Sequence, residues 1–235
     1  MKYHTFLMAW FLCSTACAAD LAVQPVRLQL SEKQNRSVLT VTNRSSESTS
    51  IQVDTFSWFD EKGENRQVTS NDLIVTPPMF TLGPYGTQTI RVGMRNPAKN
   101  EKEIAYRILL RQIPSSSTID QQIKNLQFLM QISLPVYIEP PQKNWSIKWN
   151  AKHIKANQIT LTAQNTGSMH MIVHKINVNP AHTNSTDEAL ANIEDAMTLL
   201  PGQAYQWKIP IRHTTMPVFI HAVTDRGTEK ILVEP

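Results

Sequence analysis

The run Leu126 to Leu134 alternates so that Leu126, Phe128, Met130, Ile132 and Leu134 fall on one face of any strand it forms. Such a row either fills a sandwich core or is offered to another chain. A polar stretch from Ser115 to Asn125 leads into it and Pro135 closes it. At a sheet edge, a strand of this kind is a template on which a second chain can complete its own sheet.

The rest of the chain is strand after strand. Leu21 to Leu30, Ser37 to Asn43, Thr49 to Trp58, Thr87 to Met94, Ile104 to Ile113 and Leu126 to Ile138 carry alternation or dense β-branched and aromatic content. Turns are predicted at Asn43 to Ser46, Glu61 to Glu64 and Pro84 to Gly86, and Pro77-Pro78 fixes an extended corner. The stiff pair Pro140-Pro141 marks a boundary, after which strands restart at Trp145 to Trp149, Gln158 to Ala163, Met169 to Val178, Tyr205 to Ile211, Val218 to Thr224 and Thr228 to Val233. Between them, Asp187 to Ala196 could make a short helical turn, since Leu190, Ile193 and Met197 have helical spacing, or Met197 to Leu200 could begin a strand. The expectation is an all-β fold of two antiparallel, immunoglobulin-like β-sandwich domains, residues 20–139 and 140–235.

Residues 1–19 change the picture of where this fold works. Lys2 and His4, the apolar run Phe6 to Cys13 and the small residues ending at Ala18-Ala19 have the three-part build of a secretory signal peptide, with cleavage after Ala18 or Ala19. A lipid-bearing Cys17 is the other reading, against which Ser14 stands three residues before it. Both cysteines, Cys13 and Cys17, lie inside the leader, so the processed chain would rest on buried area alone. The balance of 23 basic and 19 acidic residues is a weak excess that gives no argument for a nucleic-acid partner.

No constellation for catalysis assembles. His153, His170, His174, His182, His213 and His221 are scattered, and no Gly-x-Ser-x-Gly elbow, His-Glu-x-x-His run or glycine-rich phosphate loop occurs. The reading is a protein with no catalytic residues, no metal site and no cofactor. Trp58, Trp145, Trp149 and Trp207 read as packing residues.

Val23-Gln-Pro-Val-Arg27-Leu, Val41-Thr-Asn43, Thr76-Pro77-Pro78-Met-Phe80 and Leu82-Gly-Pro-Tyr-Gly-Thr-Gln-Thr-Ile-Arg91-Val, in this order, resemble the periplasmic chaperones of chaperone-usher pili, the PapD-like family. Tyr106-Arg107 to Pro114 and Leu134-Pro135-Val-Tyr137-Ile-Glu139-Pro140 continue the resemblance in a form closer to the archaic branch, and Leu200-Pro201-Gly202 and Val223 to Gly227 carry it through the second half. It implies an L-shaped pair of immunoglobulin-like domains in the periplasm. Its partners would be pilus or fimbrial subunits, each lacking a strand, and an outer-membrane usher, and free molecules could pair to hide the apolar edge. The strand bearing Leu126, Phe128, Met130 and Ile132 would be the donor. Arg27 would clamp the subunit's terminal carboxylate. The family's second anchor, a lysine, falls at Gln131 or Ser133, so these residues, or Arg91 or Arg107, are the candidates to replace it. Glu103 and Asp225 lie near family positions that contribute to an interdomain ion-pair network, whose partner arginine is replaced here by Ile138 or Glu139. The alternative is a secreted two-domain adhesin or a structural component of a surface fibre.

Overall fold

A computed structural model describes residues 21–61, 64–96, 99–114, 128–155, 157–181, 189–211 and 217–234. The leader, Leu126 and residues His182 and His213 lie outside this set. The described residues form strands β1 (Leu21–Gln24), β2 (Leu28–Ser31), β3 (Arg36–Asn43), β4 (Thr49–Glu61), β5 (Glu64–Thr69), β6 (Leu73–Thr76), β7 (Met79–Leu82), β8 (Thr87–Met94), β9 (Ile104–Ile113) and β10 (Gln131–Glu139). They continue with β11 (Ile147–Lys155), β12 (Gln158–Asn165), β13 (Met171–Pro180), β14 (Ala191–Ile193), β15 (Met197–Leu199), β16 (Ala204–Pro210), β17 (Val218–Thr224) and β18 (Gly227–Val233).

Four sheets result, and none mixes strands from before and after Pro140. The order β1-β3-β8-β6 makes one sheet and β2-β10-β9-β4-β5, with β7 on β4, the sheet facing it; β11-β12-β16 faces β14-β13-β17-β18, with β15 on β13. The alternation seen in the sequence is what closes each pair. Leu39 and Val41 of β3 and Ile90 and Val92 of β8 meet Ile51, Ile108, Leu110, Val136 and Ile138 in one core, all nearly free of solvent. Ile159 and Leu161 of β12 meet Val173, Val178, Ile209 and Ile220 in the other. The fold is thus all-β with two sandwiches.

Buried asparagines finish strand ends in both. Asn43 donates to the Glu47 and Gly83 carbonyls at 2.6 and 2.9 Å, and Asn165 donates to the Met169 and Leu199 carbonyls at 2.8 and 2.9 Å, supplying donors to carbonyls at turns and strand ends. Just after Asn165, Gly167 lies so close to the backbone of Asn144 that a Cβ would sit 2.4 Å from its carbonyl oxygen.

Three expectations are corrected. The run Leu21 to Leu30 is two strands in different sheets, parted at Pro25 to Arg27, because the chain crosses from one sheet to the other there. Residues 191–193 are a strand rather than part of a helical turn, paired with β13, whose ladder outcompetes a polar helix with little to bury, and the other reading, a strand starting at Met197, holds at 197–199. Of the strand expected from Leu126, the described residues 128–130 lie outside β10, which begins at Gln131.

Candidate functional site: an open strand edge beside a cationic cleft

β10 has unequal neighbours. Against β9 it is paired along its length, from Gln131 opposite Arg111 to Ile138 opposite Ile104. Against β2 the parallel pairing runs only from Val136 opposite Leu28 to Glu139 opposite Ser31. From Gln131 to Pro135, therefore, one side of the strand has no ladder partner among the described residues. Upstream, Met130 is still tied to β9: its carbonyl accepts from the Gln112 amide at 3.0 Å and its amide donates to Gln112 Oε1 at 3.1 Å. Leu129 and Phe128 before it are exposed.

The even-numbered side chains of this segment form a gradient. Val136 and Leu134 are buried at 0 and 4 %, Ile132 is partly buried against the core, Met130 is partly buried outside it, and Phe128 is 81 % exposed. A bare phenyl group next to an unpaired edge is a surface awaiting another chain.

The other face of β10 turns toward the second sandwich. Gln131, Ser133, Pro135 and Tyr137 stand opposite Arg111, Leu109, Arg107 and Ala105 of β9, and beyond these lie Asp54, Phe56 and Trp58 of β4. Arg111 is neutralised by an ion pair with Asp54. Arg107 has no acidic partner among the described residues. Its guanidinium carbon lies 4.0 Å from the Trp58 ring centroid, its Nη1 donates to Ser133 Oγ at 3.3 Å, its Nε is unpaired, and burial lowers its pKa. Arg27, exposed, precedes β2 and so stands where β10 passes from its closed to its open stretch. Arg91 is exposed between buried Ile90 and Val92 on the outer face of the other sheet, and the fold does not bring it to this cluster.

The two sandwiches meet beneath the cluster. Trp58, Ala105 and Tyr137 bury against Leu200, and the Tyr137 ring stacks on His170 with centroids 3.9 Å apart and planes 10° from parallel. Glu103 Oε1 accepts from the His170 backbone amide at 3.0 Å and from Nδ1 at 2.6 Å, and the Glu103 amide donates to the Ser168 carbonyl. Gln203 Nε2 reaches back to Asp60 Oδ2 at 3.2 Å. Asp225 bonds within the second sandwich, accepting from the Ile172 amide at 2.9 Å, while its charge also acts on Tyr137. His170 was one of several scattered histidines in the sequence; its partner is 67 residues away, and no local signal joins the two.

The arrangement offers backbone hydrogen bonds, apolar side chains and two cations at one place, the outfit of a surface that completes another protein's sheet. The profile of the family described as pili and flagellar-assembly chaperone, PapD N-terminal domain, matches residues 20–144, more than half of the 235 residues, and the chain belongs to that family. No curated protein sequence matches it. Among solved structures it is similar to a chain of the CsuC-CsuE chaperone-tip adhesion subunit pre-assembly complex from archaic chaperone-usher Csu pili of Acinetobacter baumannii, at TM-score 0.65 and 13% identity over 92% of this chain and 99% of that one. It is also similar to the E. coli chaperone DraB, at TM-score 0.56 and 17% identity over 92% and 99%. A third is the Salmonella enterica SafA pilin and SafB chaperone complex, at TM-score 0.59 and 11% identity over 92% and 96%. These likenesses are of fold.

Proposed function

We propose that this protein is a periplasmic chaperone that binds, folds and caps pilus or fimbrial subunits by donor-strand complementation and delivers them to an outer-membrane usher. The observation that carries the reading is the half-open edge of β10, unpaired at residues 131–135 and continued by exposed Phe128. A subunit lacking one strand pairs with that edge, while Phe128, Met130 and Ile132, with Leu126 upstream, cover its groove. Fully burying three such side chains stabilises the complex by about 5 to 8 kcal/mol before ordering costs.

Arg27 clamps the subunit's terminal carboxylate, since a guanidinium fork donates two parallel hydrogen bonds to it. Arg107 assists. Its head group lies against Ser133, one of the two places where a family lysine would stand, so the second cation comes from the neighbouring strand. Residues 20–139 are the chaperone domain proper and 140–235 the domain that backs the cleft through Leu200, His170 and Gln203. Free molecules hide the open edge by pairing with each other. Co-expression with candidate subunits tests the whole reading: 1:1 periplasmic complexes are expected, whereas incorporation of the protein into surface fibres would make it a structural component instead.

A further inference from the structure

Tyr137 is 3 % exposed, and its hydroxyl, unlike the Nε of Arg107, is not sealed from solvent. The ring is fixed on both sides of the domain boundary: His170 stacks on it, Trp58 lies 6.2 Å away, and His170 is itself held by Glu103. Four charges act on the hydroxyl, those of Glu103 and Asp225 against those of Arg107 and Arg27. The two acids are committed, Glu103 to His170 and Asp225 to the Ile172 amide. Neither arginine has an acidic partner among the described residues. By register, two uncommitted cations flank this side of the strand: Arg107 stands opposite Pro135, two residues before Tyr137 on the same face, and Arg27 precedes the residue paired with Val136, so an anion with several acceptor lone pairs would meet all three groups.

We propose, resting on the chaperone reading above, that the Tyr137 hydroxyl is a third donor to the terminal carboxylate of the captured strand, with His170 as the residue that positions it. The phenol replaces part of what the missing lysine would supply. A carboxylate has about four acceptor sites, so one fork from Arg27, one contact from Arg107 and one from the phenol are compatible. Burial, the larger cause, and Glu103 push the hydroxyl up to about 12, so it keeps its proton and donates. His170 touches neither the arginines nor the edge; it acts through the ring and through Glu103.

The test uses the mature full chain and one synthetic strand-forming peptide, with apolar residues at alternate positions, made with a free C-terminal carboxylate or with an amide. Tyr137→Phe keeps the stacked ring and removes only the oxygen. It should weaken binding of the carboxylate peptide about tenfold and leave the amide peptide unchanged, a hydrogen bond to a charged group being lost. Arg27→Ala should show a selective loss of the same kind. If Arg27→Ala is selective and Tyr137→Phe weakens both peptides alike, or neither, the tyrosine is packing and the inference fails alone. If neither substitution distinguishes the peptides, the carboxylate reading of the cleft fails with it. Should Tyr137→Phe not fold, the unsubstituted chain answers: the hydroxyl-bearing carbon of isotopically labelled Tyr137 should shift in the NMR spectrum with the carboxylate peptide and not with the amide, and no shift would overturn the assignment.

Discussion

The two ends of β10 carry one alternating pattern and have opposite fates. From Val136 to Glu139 the strand lies between β9 and β2, and Val136 and Ile138 are sealed in the core; from Pro135 back to Gln131 it has β9 alone, and in the segment leading into it Phe128 emerges into solvent. Composition does not separate the ends, since Phe128 is as apolar as Ile138. What separates them is the length of β2, only four residues, which closes the ladder at Leu28 and leaves the remainder open. A strand can therefore anchor a fold at one end and serve a partner at the other when its neighbour is simply too short. The boundary between the two jobs lies at Pro135, which has no amide hydrogen to offer.

The contrast is sharpest under truncation and charge. Ile138→Ala removes a side chain with 1 % exposure and should cost about 2 to 5 kcal/mol of stability, read as a lower denaturant midpoint. Phe128→Asp should cost less than about 0.5 kcal/mol, because the side chain is already in water. That same change should abolish recovery of subunit complexes, since a lone carboxylate would be carried into the subunit's apolar groove. Equal destabilisation by the two substitutions would make the whole strand ordinary core and remove the reason for calling its open end a donor. Ile132, partly buried against the core, should fall between them when changed to Ala.

Much of this could be read from the residues. The alternation in Ser37 to Asn43, Thr87 to Met94 and Val218 to Thr224 predicts β3, β8 and β17 within a residue, because each has one face in a core and one in water. β5 escaped notice since all six of its residues are exposed and mostly polar, and β6 and β7 because four-residue strands leave too few positions for a period to emerge. In the cleft, the sequence marks Arg27 and the donor run by their place in a family-like order. It does not reveal that Arg107 lies on Trp58 or that Glu103 holds His170, because those contacts depend on how two separate sandwiches abut and leave no spacing to read.

Removing a cation should test the cleft without disturbing either end of the strand. Arg27→Ala leaves an exposed position with no packing to lose, so the denaturant midpoint should stay within experimental scatter while subunit capture falls about tenfold, the loss of one charge-assisted contact. Unchanged yields of subunit complexes would remove Arg27 from the anchor. Arg107→Ala is a poorer probe of the same idea because it also strips the stack from Trp58 and should lower stability.

The smallest expected effect lies at the closed end and appears only in alkali. Tyr106 stands opposite Val136 in the β9–β10 ladder, donates to Asp72 Oδ2 at 3.0 Å, and is pushed up to about 12, first by burial and then by that carboxylate. A tyrosine whose pKa is raised in the folded state contributes fully below the unfolded value of 10.0, and the contribution is lost as pH rises from there through about 12, because only the unfolded chain gives up the proton early. At neutral pH the unsubstituted protein should exceed Tyr106→Phe by about 1 kcal/mol, the worth of the hydrogen bond. Urea titrations of both proteins at increasing pH should show that gap closing above pH 10, with common alkaline losses cancelling in the difference. A gap that stays constant would mean that the hydroxyl is wet in the folded chain, and that the closed end of β10 is less sealed than its packing against Val136 and Ile138 implies.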